Sequence, residues 1–126
     1  MAATVTGAHH VSFPVKDLNR ARTFYERVLG LQQRPRPNFP FPGVWYQAGA
    51  CEVHLIETPA GFDVGSPPPA LNPMAAHAAF GIRDYDAMLT HLKEHGLEVL
   101  ETTAQQGQMW VRDPDGNIIE LIVART

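Results

Sequence analysis

The second half of this 126-residue sequence repeats the polar and apolar pattern of the first half. A shift of 67 positions superposes four pairs of identical or similar residues: His10 and His77, Phe13 and Phe80, Val15 and Ile82, Asp17 and Asp84. Further along, the shift becomes 66 and places segment 51–57 on segment 117–123. A repeat of this kind predicts two copies of one supersecondary unit that share a core.

The first strand of each unit carries a histidine on its polar face. Residues 10–15 alternate in polarity, so that the apolar side chains share one face while His10 and Ser12 lie on the other. Residues 77–82 alternate in the same way and place His77 on the equivalent face. Because the apolar faces should pack on helices, we expect both histidines to point away from the core.

A helix and three strands follow in each half. Asp17 and Asp84 are suitable N-caps for helices that end at the next glycine along the chain. Hairpin turns are predicted at 49–50 and 114–116, with one further strand per half that the pattern defines poorly. The expected fold class is therefore α+β, with two tandem βαβββ modules that form a partly open antiparallel barrel around a cleft.

Two irregular segments interrupt this plan. We predict one domain over residues 1–126, with module one at about 7–58, a connector at about 59–74 and module two at about 75–124. Segment 34–43 is different from the connector because it carries Phe39 and Phe41 among four prolines. This segment is either a stiff apolar flap that borders a ligand, or a surface loop whose rings enter the core or a dimer contact.

Composition and charge exclude several classes of function. With a net charge of -3 and no run of Lys or Arg, the chain lacks the basic surface that nucleic acids and anionic membranes attract. No apolar stretch approaches the roughly 20 residues that cross a bilayer, and the N-terminus shows no leader pattern, so a cytoplasmic location is expected. Cys51 is the single cysteine, which excludes an internal disulfide and a multi-cysteine zinc site.

Four polar side chains fall at equivalent positions of the two units and are expected to share one cleft. His10 and His77 start the first strands, and the 66-residue shift places His54 on Glu120 in the final strands. Small neighbours such as Ser12 leave room beside them. An apolar strand does not bury a carboxylate without a partner, and a divalent cation would satisfy Glu120. Two imidazoles and a carboxylate suit a single Zn, Ni, Mn, Fe or Co ion.

Each of these residues also has a structural explanation. A histidine at the end of a strand often only forms hydrogen bonds, and His9 competes with His10 for any role there. Glu120 has Arg112 or Arg83 as an alternative partner, and His54 can lie beside a metal without binding it. The repeat, which selects the four positions together, favours the metal site.

Three segments resemble the vicinal oxygen chelate superfamily: FYERVLGL at 24–31, the hairpin GVWYQAG…VHLIE at 43–57 and VRDPDGNIIEL at 111–121. This superfamily holds glyoxalase I, bleomycin-resistance proteins and extradiol dioxygenases, and the sequence is most similar to single-domain glyoxalase-I-like members. The resemblance implies a metal bound by His10, His77 and Glu120. It adds His54 as a fourth ligand, where glyoxalase I usually has a glutamate.

The resemblance also implies a reaction. Four protein ligands leave two coordination positions, which suit the adjacent oxygens of an enediolate and hence a lyase or isomerase. Glu120 is the expected catalytic base, with Glu52 as an alternative. The substrate is expected to be a small oxygen-chelating molecule, with a thiol adduct as one option. Its expected contacts are Ser12, Arg34, Phe39, Phe41 and Trp45.

Other functions of the superfamily stay open. An extradiol-type Fe(II) dioxygenase is the alternative if His54 lies away from the metal. A drug-binding protein of the bleomycin-resistance kind and a thiol transferase are the remaining options, although such binders generally lack the metal residues that this sequence keeps. Related proteins commonly pair, so a homodimer is expected, whether or not the two chains share a site.

Overall fold

The chain folds into two four-stranded sheets of the same topology in the computed structural model, which describes residues 3–124. The first sheet contains His10–Val15 (β1), Gln32–Arg34 (β2), Gly43–Ala48 (β3) and Cys51–Glu57 (β4) in the order β1-β4-β3-β2. The second contains Ala78–Ile82 (β5), Leu100–Glu101 (β6), Gln108–Arg112 (β7) and Ile118–Val123 (β8) in the order β5-β8-β7-β6. The α+β class and the tandem βαβββ units are confirmed.

The sheets refine the predicted, partly open antiparallel barrel in two details. Each sheet is mixed, because β1 pairs with β4, and β5 with β8, in parallel. The helix after the first strand acts as a crossover that lets the last strand of the unit run beside the first in the same direction. Within residues 3–124, no strand of one sheet pairs with a strand of the other, so the sheets are not closed into a barrel.

The two helices begin at the predicted caps. The first comprises an α-helix, Leu18–Thr23 (α1), and a π-helical turn, Phe24–Val28; the second is Tyr85–Glu94 (α2). The Oδ1 atoms of Asp17 and Asp84 accept from backbone N–H groups at 3.1 and 3.0 Å. Gly30 and Gly96 follow the helices with φ of +71° and +75°, a conformation that glycine adopts without steric cost. None of the described helices is long and apolar enough to cross a bilayer.

The π-helical turn explains why the repeat changes its shift. Thirteen positions separate Asp17 from Gly30, but only twelve separate Asp84 from Gly96. The extra residue widens the last turn of the first helix, where the N–H of Leu29 donates to the carbonyl of Phe24 at 3.0 Å, five residues back. The strands that follow therefore keep equivalent positions in the two halves.

One hydrophobic core joins the halves on the helix side of both sheets. Its buried residues come from β1, the first helix, β3 and β4 in one half and from α2, β7 and β8 in the other, with Tyr25, Tyr46, Leu55, Leu92, Met109 and Ile119 among the largest. His91 on α2 donates from Nε2 to the carbonyl of Val28 at 2.9 Å, which links the two helices. The opposite, polar face of each sheet stays outside this core.

Asp113, in the turn between β7 and β8, is the centre of a buried polar network. Its Oδ1 accepts from the N–H groups of Asp115 and Asn117, both at 2.9 Å. Its Oδ2 accepts from the Tyr25 hydroxyl at 2.7 Å and from Asn117 Nδ2 at 2.8 Å. Burial raises the pKa of Asp113 and raises that of Tyr25 well above its usual value. The second hairpin is thereby fastened to the first helix.

Candidate metal site

Strand register places His54 and Glu120 at equivalent points of the two sheets. His54 on β4 lies between Ser12 on β1 and Trp45 on β3. Glu120 on β8 lies between Ala79 on β5 and Trp110 on β7. Because partners across neighbouring strands share a face, each half presents a polar group and a tryptophan together on the polar face of its sheet. Both His54 and Glu120 are buried all the same.

In the second half, Glu120 contacts His77 directly. Nε2 of His77 lies 2.9 Å from Glu120 Oε1, which also accepts from Nε1 of Trp110 at 3.0 Å. Nε2 of Gln108 donates to the other oxygen, Oε2, at 3.2 Å. The carboxylate is therefore held in one orientation by three neighbours, and Oε2 is the less occupied oxygen.

The hydrogen bonds of His77 fix the tautomer of its ring. Nδ1 lies 2.7 Å from the carbonyl oxygen of Ala75, which can only accept, so Nδ1 carries a proton. In the neutral ring Nε2 then presents a lone pair to Glu120 Oε1 at 2.9 Å. Two acceptors so close require a cation, either a proton on the ring or a metal ion beside both. A histidine whose second nitrogen is bound to a backbone carbonyl is the usual form of a metal ligand.

In the first half, His54 is enclosed between two rings. Its ring centroid lies 4.1 Å from that of His10 and 4.1 Å from that of Trp45, with interplanar angles of 15° and 5°. His9 also takes part, because its Nδ1 lies 2.8 Å from Nδ1 of His10. Only the ring edge of His54 is therefore available to a ligand.

Glu52 binds one edge of the His54 ring. Its Oε1 lies 2.9 Å from His54 Nε2 and its Oε2 lies 3.0 Å from Nη1 of Arg34. The hydrogen bond from His54, with the charge of Arg34 as a further cause, holds the pKa of Glu52 below its usual value. Since Glu52 is then ionised near neutral pH, Nε2 of His54 is the donor. A metal would meet His54 at its other nitrogen, Nδ1.

The flap, residues 34–43, continues the row of rings that begins at His10. Phe39 stacks on Phe41 at 5.3 Å between centroids, and its centroid lies 6.1 Å from that of Trp45. Arg36 lies over both phenylalanines, and its Nη2 donates to the carbonyl of Phe41 at 2.8 Å. The flap rings border the polar face of the sheet and are not part of the buried core.

The structure brings the predicted ligands together as two pairs. His10 contacts His54, and His77 contacts Glu120, but within residues 3–124 no three His, Cys, Asp or Glu side chains are grouped so as to hold one ion. The joint binding of one metal by all four residues stays a prediction. Ser12 lies beside His54 and lines a cavity of about 690 Å³ between β1 and the connector.

Sequence reasoning missed one side chain of the site and undervalued another. Gln108 donates to Glu120, and His9 contacts His10. The signal for Gln108 was present, because alternation along β7 places it on the face of Trp110, the register partner of Glu120. His9 has no equivalent in the repeat, because the 67-residue shift places it on Ala76. The alternative pairing of Glu120 with Arg112 does not occur, since Arg112 contacts Glu98.

The side chains of His10, His54, His77 and Glu120 are of the chemical types that bind divalent metal ions. Neutral imidazole nitrogens and an ionised carboxylate are ligands that zinc, nickel, manganese, iron and cobalt all accept. His77, with Nδ1 bound to a backbone carbonyl and Nε2 beside Glu120, has the hydrogen-bonding arrangement that is typical of a metal ligand. His10 and His54 together offer two further imidazoles at van der Waals distance from each other.

Comparisons with known proteins agree with this architecture. The family model of the Glyoxalase/Bleomycin resistance protein/Dioxygenase superfamily matches residues 7–121. "Glyoxylase I 4" from Arabidopsis thaliana is 27% identical over 123 residues, which cover 93% of this chain and 70% of that protein. The crystal structure of a glyoxalase family protein from Bacillus anthracis is 28% identical with a TM-score of 0.74 and covers 99% of this chain and 100% of that one.

A more distant structure shares the fold. A mutant of the fosfomycin resistance protein FosX from Listeria monocytogenes, complexed with Mn(II) and 1S,2S-dihydroxypropylphosphonic acid, is 17% identical with a TM-score of 0.72. The alignment covers 97% of this chain and 95% of that chain. With a family model that matches almost the whole length, the chain belongs to the glyoxalase, bleomycin resistance protein and dioxygenase superfamily.

Proposed function

We propose that this protein is a divalent-metal-dependent, glyoxalase-like lyase or isomerase that acts on a small substrate with two adjacent oxygen atoms. The observation that carries the proposal is the pair His77 and Glu120, in which Nδ1 of the ring is held by the Ala75 carbonyl and Nε2 lies 2.9 Å from a carboxylate oxygen. Glu120 lies in the apolar strand β8, where a buried carboxylate is costly without a cationic partner. Membership of the superfamily supports the same reading.

The metal would be held by His10, His77 and Glu120, with His54 as the fourth ligand through Nδ1. We infer that a homodimer forms the complete site, in which His10 and His54 of one copy meet His77 and Glu120 of the other. Within residues 3–124 the outer edges of β1 and β5 have no strand partner, so a second chain can approach there. Most small oligomers are twofold symmetric, which would produce two identical sites.

The proposed reaction moves a proton between neighbouring carbons of the substrate. The bound metal would supply Lewis-acid stabilisation of the substrate oxygens. Glu120 is the better base of the two candidates, because its Oε2 has a single donor, Gln108, and faces the polar side of the sheet. Glu52 is the poorer proton acceptor, since its pKa is lowered and both of its oxygens are engaged.

The reaction is tested by activity after metal loading. Protein purified without chelators and loaded in turn with Zn, Ni, Mn, Fe or Co is expected to convert hemithioacetals in the absence of oxygen, with no turnover after chelation. Isomerisation is followed as the thioester absorbance appears. A protein that binds a metal with these residues but converts no hemithioacetal would contradict the proposed reaction.

The shared site is tested by mixing two inactive variants. His10→Ala and His77→Ala each break both sites of a homodimer, but a mixed dimer contains one site with every ligand intact. After the two variants are unfolded and refolded together in equal amounts, about one quarter of the wild-type metal sites and activity should return. The variants refolded separately are the control. No recovery in mixtures shown to contain mixed dimers would contradict the shared site.

One observation favours a second candidate function, an extradiol-type Fe(II) dioxygenase. Nε2 of His54 is engaged by Glu52, and the ring lies between His10 and Trp45. If His54 does not bind the metal, three ligands remain and more coordination positions are open for a catechol and dioxygen. Oxygen consumption with a catechol and Fe(II), without hemithioacetal turnover, would establish this alternative.

A further inference from the structure

We propose that the substrate carries an aromatic group, which lies against a wall formed by Phe39, Phe41 and Trp45; this inference rests on the proposed function. The wall begins next to the candidate metal ligands, because Trp45 stacks on His54 at 4.1 Å and His54 stacks on His10 at 4.1 Å. A ligand anchored at the metal would therefore extend along a continuous row of rings.

The wall is open and held in position. Phe39 and Phe41 are 40% and 36% exposed although they are large apolar residues. The four prolines of the flap restrict its backbone. Arg36 lies 5.0 and 5.2 Å from the centroids of Phe39 and Phe41, which fixes both rings from one side. Exposed aromatic rings that are fixed in this way form a ready contact surface for another planar group.

One of the two guanidinium groups near the wall is paired with a carboxylate. Nη1 of Arg34 is bound to Gln47 Oε1 at 2.7 Å and to Glu52 Oε2 at 3.0 Å. Arg36 is bound to the Phe41 carbonyl and lies over the two rings. The charge of Arg34 is thus balanced by Glu52, and the surface that adjoins the candidate metal ligands is aromatic. The matching connection of the second half, 102–107, contains no aromatic residue.

The first test compares two chelating probes on zinc-loaded protein. Acetohydroxamate and benzohydroxamate bind a divalent ion through the same two oxygens and differ in a methyl and a phenyl group. Titration calorimetry is expected to show benzohydroxamate bound about tenfold more tightly. In the double variant Phe39→Leu, Phe41→Leu the preference should fall to about twofold, with acetohydroxamate affinity unchanged. A preference that the double variant retains would overturn the proposal.

The second test does not depend on the metal. Saturation-transfer NMR on chelator-treated protein is expected to show contact with benzamide, weaker contact with cyclohexanecarboxamide, and loss of the benzamide signal in the double variant. Phe62→Leu is the matched control, because Phe62 is 69% exposed and lies on the connector beside the cavity. The proposal would be overturned if the wild-type protein gave no benzamide signal. It would also be overturned if Phe62→Leu lost the signal and the double variant kept it. If benzamide still contacts the protein but neither hydroxamate binds, the result would count against the metal site only.

Discussion

Replacement of Glu120 by Gln is expected to lower kcat/KM for a hemithioacetal by about 10³-fold. The amide has the shape of the carboxylate but only one oxygen, so one of the two donors, Trp110 or Gln108, keeps its acceptor and the other faces the amide NH2 group. It lacks the negative charge that faces His77 and cannot accept the substrate proton. We also expect metal affinity to fall by about 10 to 100-fold, measured by competition with a chromophoric chelator.

Glu98→Gln is the matched control for this prediction. Its carboxylate is largely exposed and contacts Arg112, away from the candidate site. This variant should keep wild-type kinetics and metal affinity. If Glu120→Gln retained both activity and metal, Glu120 would be neither ligand nor base. If it lost activity and kept the metal at full affinity, Glu120 would act as the base alone.

Replacement of Asp113 by Ala is expected to lower the free energy of unfolding by about 3 kcal/mol, or roughly 10 °C in melting temperature. The change removes both oxygens of the buried network and leaves the Tyr25 hydroxyl and the amides of Asp115 and Asn117 without their acceptor. Relief of the buried charge, whose pKa is raised by desolvation, offsets part of this loss. Urea unfolding followed by circular dichroism measures the difference.

Two further variants calibrate the Asp113 result. Tyr25→Phe removes one of the donors to Asp113 and should cost about 1 kcal/mol. Asp63→Ala removes an exposed aspartate whose Oδ1 accepts from the N–H of Gly65 in the connector, and it should change stability by less than about 0.5 kcal/mol. Equal losses for Asp113→Ala and Asp63→Ala would show that the network does not stabilise the fold.

The repeat was sufficient to predict most of the fold and the equivalence of His54 and Glu120. Period-two alternation and the capping aspartates depend on local sequence, and both are confirmed in β1 and α2. The parallel pairing of β1 with β4 and the packing of the two halves through Tyr25 and Asp113 depend on contacts between distant residues. Local pattern does not contain that information.

The details of the site were the least predictable part. Alternation assigned His54 to the correct face, but it did not show that Glu52 binds one ring nitrogen and Trp45 covers one ring face. These contacts depend on side-chain rotamers, which the spacing of residues does not determine. The arrangement of the predicted ligands as two pairs likewise depends on how the halves pack, which the pattern of one half does not specify.

In the proposed enzyme, the flap would separate the recognition of a substrate from the chemistry performed on it. It connects β2 to β3 at one rim of the first sheet, whereas Glu120 lies on β8 of the other sheet and His77 directly precedes β5. Residues between 35 and 42 can therefore be replaced, or the segment lengthened, without moving the strand that holds Glu120. Gene duplication followed by divergence of one loop gives such a protein a simple route to new substrates, with its reactive groups inherited intact.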